Sequence, residues 1–246
     1  MKQREQASDD LISKIIQECT PTATNICPFL MQDPLLEPRL REILSKIKVK
    51  NWKTQTTIYA SMHNANIEEM KHIIDDGTLD NLMVSFYGSE FQPGLDNEKA
   101  ARKLDEIIWY RNSMCRKKPI VTMQWIADLE GKERLNAWDG IADGIQVVPF
   151  DTFHGTITEP RNRTKGHNQE RKPCARLWNS FNVHSNGNVV PCCIDYSEEI
   201  VLGNMNEQSA LEIWNSDQFN ELREMHMQKR FSEISLCRDC TVWEWL

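Results

Sequence analysis

Eight cysteines are unevenly spread along this 246-residue chain, and their spacing constrains the fold more than any other feature. Five fall after residue 173, at Cys174, Cys192, Cys193, Cys237 and Cys240, whereas Cys19, Cys27 and Cys115 are scattered before it. Twelve residues separate Cys174 from Gly187, four separate Gly187 from Cys192, and Cys237-Arg-Asp-Cys240 forms a C-x-x-C pair. A turn at Asn186-Gly187 and a C-x-x-C at the other end bring two sets of thiols together, enough for a four-thiolate cage. Such a cage suits zinc or an iron-sulfur cluster, and spacing alone leaves both open. Without a secretory signal, a cysteine set of this kind reads as metal or redox ligands rather than as a disulfide framework.

The region before residue 150 alternates between two hydrophobic periods. "SDDLISKIIQEC" places Leu11, Ile12, Ile15, Ile16 and Cys19 on one helical face, with Ser8 or Asp9 as the cap. "PRLREILSKIK" repeats the period with Leu40, Ile43, Leu44 and Ile47, and "NIEEMKHIIDDG" does so with Ile67, Met70, Ile73 and Ile74 between an Asn66 cap and a Gly77 stop. "KAARKLDEIIWYRN" and "GKERLNAWDGIA" are further helix candidates. Between them, "TNICPFL", "TQTTIYASM", "DNLMVSFYG", "PIVTMQWIA" and "DGIQVVPF" read as strands. This order predicts an α/β fold with right-handed crossovers and a parallel sheet, whose ligand sites lie at the carboxyl ends of the strands.

A break follows at "EPRNRTKGHNQERKP", which lacks apolar side chains and carries Arg161, Arg163, Lys165, Arg171 and Lys172. No aromatic residue interleaves these charges, so a solvated linker is expected rather than a nucleic-acid patch. The net charge of −7 likewise argues against a general nucleic-acid or membrane-surface binder. No apolar run approaches a membrane span and "MKQREQASDD" has no apolar h-region, so a cytoplasmic protein is expected. The expected organisation is residues 1–152, a basic linker at 153–173, and a cysteine module at 174–246.

Within that module, "CARLWNSFNVHSNGNVVPCCIDY", "LGNMNEQSALEIWNSDQF", "ELREMH" and "LCRDC" resemble the auxiliary-cluster module, SPASM or its shorter variant twitch, of radical S-adenosylmethionine (SAM) enzymes. The resemblance implies one auxiliary [4Fe-4S] cluster held by Cys174, Cys192, Cys237 and Cys240. Gly187 would then allow the tight turn, with Cys193 a neighbour rather than a ligand. Only one C-x-x-C follows Cys193, so the longer pattern with two auxiliary clusters is not present.

The first region resembles the same family less sharply. "LMQDPLLEPRLREIL" is similar to the Gly-Glu-Pro strand end that receives the amino group of SAM, with Gln32 and Asp33 in place of glycine and glutamate, followed by Pro34. Ser85 in "VSFYG" matches the family's strand-end serine, although Phe86-Tyr87 departs from the pattern. The C-x-x-x-C-x-x-C loop of the catalytic cluster is missing. Cys19 and Cys27 have the wrong spacing, and Leu30 stands where a third thiol is needed. Either the chain is N-terminally incomplete, or it is a natural remnant that keeps only the auxiliary cluster. The first accounts for the absent opening strand, whose loss leaves a sheet edge unpaired.

The resemblance thus implies a partial (β/α) barrel of parallel strands followed by a small cysteine-ligated α+β module. Its implied activity is radical SAM chemistry on a peptide or small-molecule substrate. An electron donor such as flavodoxin or ferredoxin is implied, and neither a membrane nor a nucleic-acid partner is expected. SAM and a second [4Fe-4S] cluster enter only with the missing motif, so these 246 residues alone are not expected to cleave SAM. The alternative is a non-catalytic module holding zinc or a structural cluster.

Overall fold

The computed structural model describes residues 6–30, 32–85, 96–126, 140–148, 170–238 and 240. They fall into two units, one of residues 19–150 and one combining residues 1–18 with 151–246.

In the first unit, β1 (Asn25–Ile26), β2 (Gln55–Ala60), β3 (Asn81–Ser85), β4 (Ile120–Ile126) and β5 (Gly144–Val148) form a parallel sheet in the order β1-β2-β3-β4-β5. Helix α2 (Leu40–Lys50) joins β1 to β2, α3 (Ile67–Asp76) joins β2 to β3, and α4 (Asn97–Ser113) joins β3 to β4. Sequential parallel order with helical crossovers is the arrangement of a (β/α) barrel wall, and it agrees with the α/β expectation. The helical stripes predicted from period meet the sheet as expected. Leu40, Leu44, Met70, Ile73, Ile74, Leu104 and Ile107 share one buried core with Ile58, Leu82, Val84, Val121 and Met123.

Local chemistry fixes the helix ends. The Asn66 side chain accepts hydrogen bonds from the N–H groups of Glu68 and Glu69, and Gly77 closes α3 in the left-handed conformation at φ 65°. Asp80, at the start of β3 and only 5% exposed, receives the ammonium groups of Lys48 and Lys118 and the Thr56 N–H. Burial pushes its carboxyl up, but the bonds from Lys118, Lys48 and Thr56 outweigh it and hold the group below the usual range. Buried Arg111 ties α4 to the sheet through Asp143 and the carbonyl of Pro119.

One strand expectation is modified, and one helix expectation is largely outside the described residues. The "TNICPFL" segment yields only Asn25–Ile26 as strand, because the chain bends at Cys27 to Phe29, with Pro28 between them unable to donate to a ladder. The helix expected in "GKERLNAWDGIA" lies largely outside the described residues, as do Phe86 and Tyr87.

In the second unit, β6 (Asn182–Val183), β7 (Asn188–Val190) and β8 (Gly203–Asn204) form an antiparallel sheet. Around it lie α5 (Arg176–Asn179), α6 (Ala210–Trp214), α7 (Asp217–Met227) and α8 (Ser235–Arg238). The N-terminal helix α1 (Asp9–Cys19), expected with the parallel sheet, belongs here instead. Leu11 is buried in one core with Leu177, Val189, Leu202, Met205, Ile213 and Phe219. Lys14 donates to the Gln208 carbonyl at 2.9 Å, and the Glu18 carboxylate accepts the Ala210 N–H at 2.7 Å, at the start of α6. An amphipathic helix announces a buried face but not its partner, which explains the difference.

Candidate functional site

The turn at Gly187 is held by an asparagine network. Gly187 sits at φ 89°, and a Cβ there would collide with the Asn206 side-chain amide. Asn206 and Asn204 both donate to the Asn186 carbonyl, and Asn204 also donates to Asn188 at 2.8 Å. The hairpin returns through β7 to Pro191, Cys192 and Cys193. Buried Asp195 then fastens the following loop by accepting the N–H groups of Glu199 and Ile200 at 2.8 and 3.0 Å. The Asp of the Cys-Cys-x-Asp stretch therefore shapes the loop.

Cys174 precedes α5, Cys237 lies in α8, and Cys240 closes a turn on it, donating its N–H to the Cys237 carbonyl at 3.2 Å. These three thiols and Cys192 are half-buried and act on one another electrostatically. Burial first, then Cys193 and Cys240, push the Cys192 thiol up to about 12. Burial, then Cys192, Cys240 and Cys174, push Cys237 up to about 12 as well. Burial also raises Cys174, which the Arg176 backbone N–H partly offsets. Clustered sulfurs disfavour one another's negative charge, and a bound metal centre reverses that preference. They are neighbours without converging on one point: among the described residues, no group of three or more His, Cys, Asp or Glu is placed to hold a single metal ion.

Polar groups fix the backbone around these thiols. Cys174 donates its N–H to His226 Nδ1 at 3.2 Å, and His226 packs edge-on against Phe231. Burial and the nearby Arg171 hold His226 down at about 4, so it is neutral near pH 7. Arg171 donates to the Cys237 carbonyl at 2.8 Å and stacks over Phe231. It therefore packs in the module rather than in a solvated linker, whereas Arg161, Arg163 and Lys165 lie outside the described residues. Arg176 donates to Cys193 Sγ at 3.0 Å. Four cysteines with two arginines beside them fit a thiolate-ligated anionic iron-sulfur cluster.

Sequence reasoning missed the roles of Arg171, Arg176 and His226. Arg176 stands two residues after Cys174 and His226 ends "ELREMH", so the only available signal was proximity to the cysteine pattern.

In the sheet unit, the residues that resemble the SAM site lie at or beyond the carboxyl ends of strands, Ser85 as the last residue of β3 and Gln32 to Pro34 after β1. Gln32 is exposed, and Pro34 is buried at the first position of a short 3-10 turn. Asp33 caps that turn by accepting the Leu35 N–H at 3.0 Å, while its other oxygen accepts Asn64 at 3.0 Å and Ser61 at 3.5 Å. Ser85 is buried at the end of β3 and donates to Gln124 at 2.9 Å, and Gln124 reaches Gln146 at 3.5 Å. Ser85 pairs with Gln124 and Gln124 with Gln146 in the register, so these three side chains form a polar row across β3, β4 and β5. Cys19 ends α1, while Cys27 and Cys115 are exposed after β1 and α4.

Comparison with known proteins follows the same division. Residues 174–241 match the SPASM family model, described as an iron-sulfur cluster-binding domain. The S-adenosyl-L-methionine-dependent 2-deoxy-scyllo-inosamine dehydrogenase of Niallia circulans is 37% identical over 54 residues, a match that spans 22% of this chain and 22% of that relative. The fold resembles the crystal structure of BtrN in complex with AdoMet and 2-DOIA, with a TM-score of 0.67 and 16% identity over 98% of this chain and 82% of that one. It also resembles native anSMEcpe with bound AdoMet, with a TM-score of 0.51 and 16% identity over 98% and 82% of the two chains. The chain thus matches an iron-sulfur cluster-binding domain in residues 174–241, and its fold resembles those of two proteins solved with AdoMet bound.

Proposed function

We propose that this chain is an iron-sulfur protein of radical SAM/SPASM type, with one auxiliary [4Fe-4S] cluster held by Cys174, Cys192, Cys237 and Cys240. The carrying observation is that the match to an iron-sulfur cluster-binding domain over residues 174–241 spans all four cysteines, which three separate segments contribute. A cubane takes each thiolate on a different iron, so it accepts a wider set than zinc, whose bonds of about 2.3 Å draw four sulfurs around one ion.

When bound, such a cluster supplies one-electron transfer or orients a substrate. The chain's own residues hold its ligands in place. His226 takes the Cys174 amide and Arg171 takes the Cys237 carbonyl, so two ligand backbones are fixed from outside the cage. Ile234 and Leu236, buried in the core against which Cys192 and Cys237 pack, limit access of water to that side. The proposed context is an oxidoreductase or maturase acting on a small metabolite or peptide in the cytoplasm, supplied by a flavodoxin- or ferredoxin-type donor.

Gln32, Asp33, Pro34 and Ser85 mark the proposed SAM side of the sheet. Both oxygens of Asp33 already serve the turn and its neighbours, so a ligand amine there would share the carboxylate with them. SAM and a second cluster belong to the reading only where a C-x-x-x-C-x-x-C loop is supplied from outside these 246 residues.

Anaerobically reconstituted protein should contain about four irons and four acid-labile sulfides per chain. Stoichiometric zinc without labile sulfide would replace this reading with that of a zinc module.

A further inference from the structure

We propose that Arg176 is a positioning residue whose guanidinium favours the reduced state of the auxiliary cluster. The inference rests on the cluster reading above and adds a determinant that the ligand set does not contain. Arg176 starts α5, two residues beyond Cys174, and its side chain turns back to donate to Cys193 Sγ at 3.0 Å.

The groups that act on this guanidinium are sulfurs. Burial works against its charge, while Cys193, Cys192 and Cys174 favour it. Among the described residues it forms no carboxylate ion pair. A guanidinium does not lose its proton in a protein, and a half-buried cation without an anion carries a desolvation cost. The site is therefore built to receive negative charge from the sulfur side. Cys193 completes the arrangement by accepting the hydrogen bond that aims Arg176 at the ligands. This gives the second cysteine of the adjacent pair a role without making it a ligand.

Four thiolates around a cubane core leave net negative charge. One electron from a low-potential one-electron donor increases that charge by one, with no bond broken and no proton required. A fixed positive charge within several ångströms stabilises the reduced form more than the oxidised one. Neutralising Arg176 should therefore lower the reduced-to-oxidised ratio at a fixed solution potential by about tenfold, equivalent to about 59 mV for a one-electron couple.

The test is an anaerobic, dye-mediated redox titration of the reconstituted full chain, read by electron paramagnetic resonance of the reduced cluster, with iron and sulfide measured on each sample. Arg176→Gln, which keeps a donor but removes the charge, should shift the ratio about tenfold. Arg176→Lys should stay within about threefold of wild type, and Cys193→Ser within about twofold, because both keep the positive charge. If Arg176→Gln loses iron while Arg176→Lys holds it, the charge serves assembly rather than the redox balance, and the proposal is overturned. An Arg176→Gln titration that overlays wild type overturns it, as does iron loss from both Arg176 variants, which would mark a steric role. Failure of wild type to assemble four irons and sulfides would sink the cluster reading itself, and is seen before any variant is compared.

Discussion

Strands β2 to β5 of the sheet unit run five to seven residues, and its helices cover one side with a continuous apolar core. Among the described residues of the cysteine unit no strand exceeds three residues, and α5, α6 and α8 have four or five. Elements that short cannot persist on backbone hydrogen bonds alone. The asparagine network, Asp195, Arg171 and His226 supply side-chain-to-backbone bonds in their place. One unit is a self-sufficient core, and the other is a small scaffold of the kind that metal cross-links commonly complete.

The largest effect should separate the two units outright. Removing iron with a chelator under reducing conditions should abolish slow hydrogen exchange in residues 174–240 while leaving protection in β2 to β4 unchanged. Within the cysteine unit, Cys192→Ser should lose most of the iron and Cys193→Ser should keep it, as measured by iron and sulfide content. Equal loss in both variants would show that the ligand has been assigned to the wrong sulfur. Loss of exchange protection in both units on chelation would show that the sheet also depends on the cluster.

A second prediction reverses the comparison. Ile58 is fully buried at the centre of the sheet core. Ile58→Ala should cost about 2–5 kcal/mol in urea unfolding of the sheet unit, as deletion of a large aliphatic group from a packed core does. The iron content of the folded protein should not change. A coupled loss of iron would mean that the two units unfold as one.

The sheet unit was the more legible in sequence, for a physical reason. Leu40, Leu44, Met70, Ile73 and Ile74 repeat with helical period over enough residues to define a face, and Asn66 and Gly77 act on the backbone beside them. The cysteine unit gave its ligand candidates through spacing but not its packing. A strand of two residues carries no period, and Arg171 reads as linker until Phe231, sixty positions later, is seen beneath it. Asp33 and Ser85 are legible in the sequence, but the polar row from Ser85 through Gln124 to Gln146 emerges only from the pairing of β3, β4 and β5.

A third prediction concerns charge in the sheet unit. Asp80 is held below its unfolded range, so its stabilisation is fully present above about pH 4 and is lost as the pH falls through its lowered folded value. Urea unfolding followed from pH 6 downward should show stability falling through this window, with Asp80→Asn flattening that part of the profile. The variant should cost about 1–3 kcal/mol at neutral pH, because the Thr56 N–H and two ammonium groups lose a charged acceptor. An unchanged acid profile in Asp80→Asn would assign the loss to other carboxylates, Asp76 beside Arg41 among them.

The smallest effect tests whether equivalent caps behave alike in the two settings. Asn66 caps α3 in the sheet unit by accepting two N–H groups, and Ser209 caps α6 in the cysteine unit through a capping box with Glu212. Each replacement by alanine should cost about 1 kcal/mol of local helix stability. For Asn66→Ala the whole cost should appear in the unfolding midpoint of the sheet unit. For Ser209→Ala the helix has only five residues and, on the reading above, is held by the cluster-bearing scaffold, so the midpoint of the iron-loaded protein should barely move. The cost should appear instead as faster iron release to a chelator, because release requires the scaffold to open and the cap is lost from the closed state. Equal midpoint shifts in the two variants, with unchanged iron release in Ser209→Ala, would show that the cysteine unit is held by its own packing and not by the metal centre.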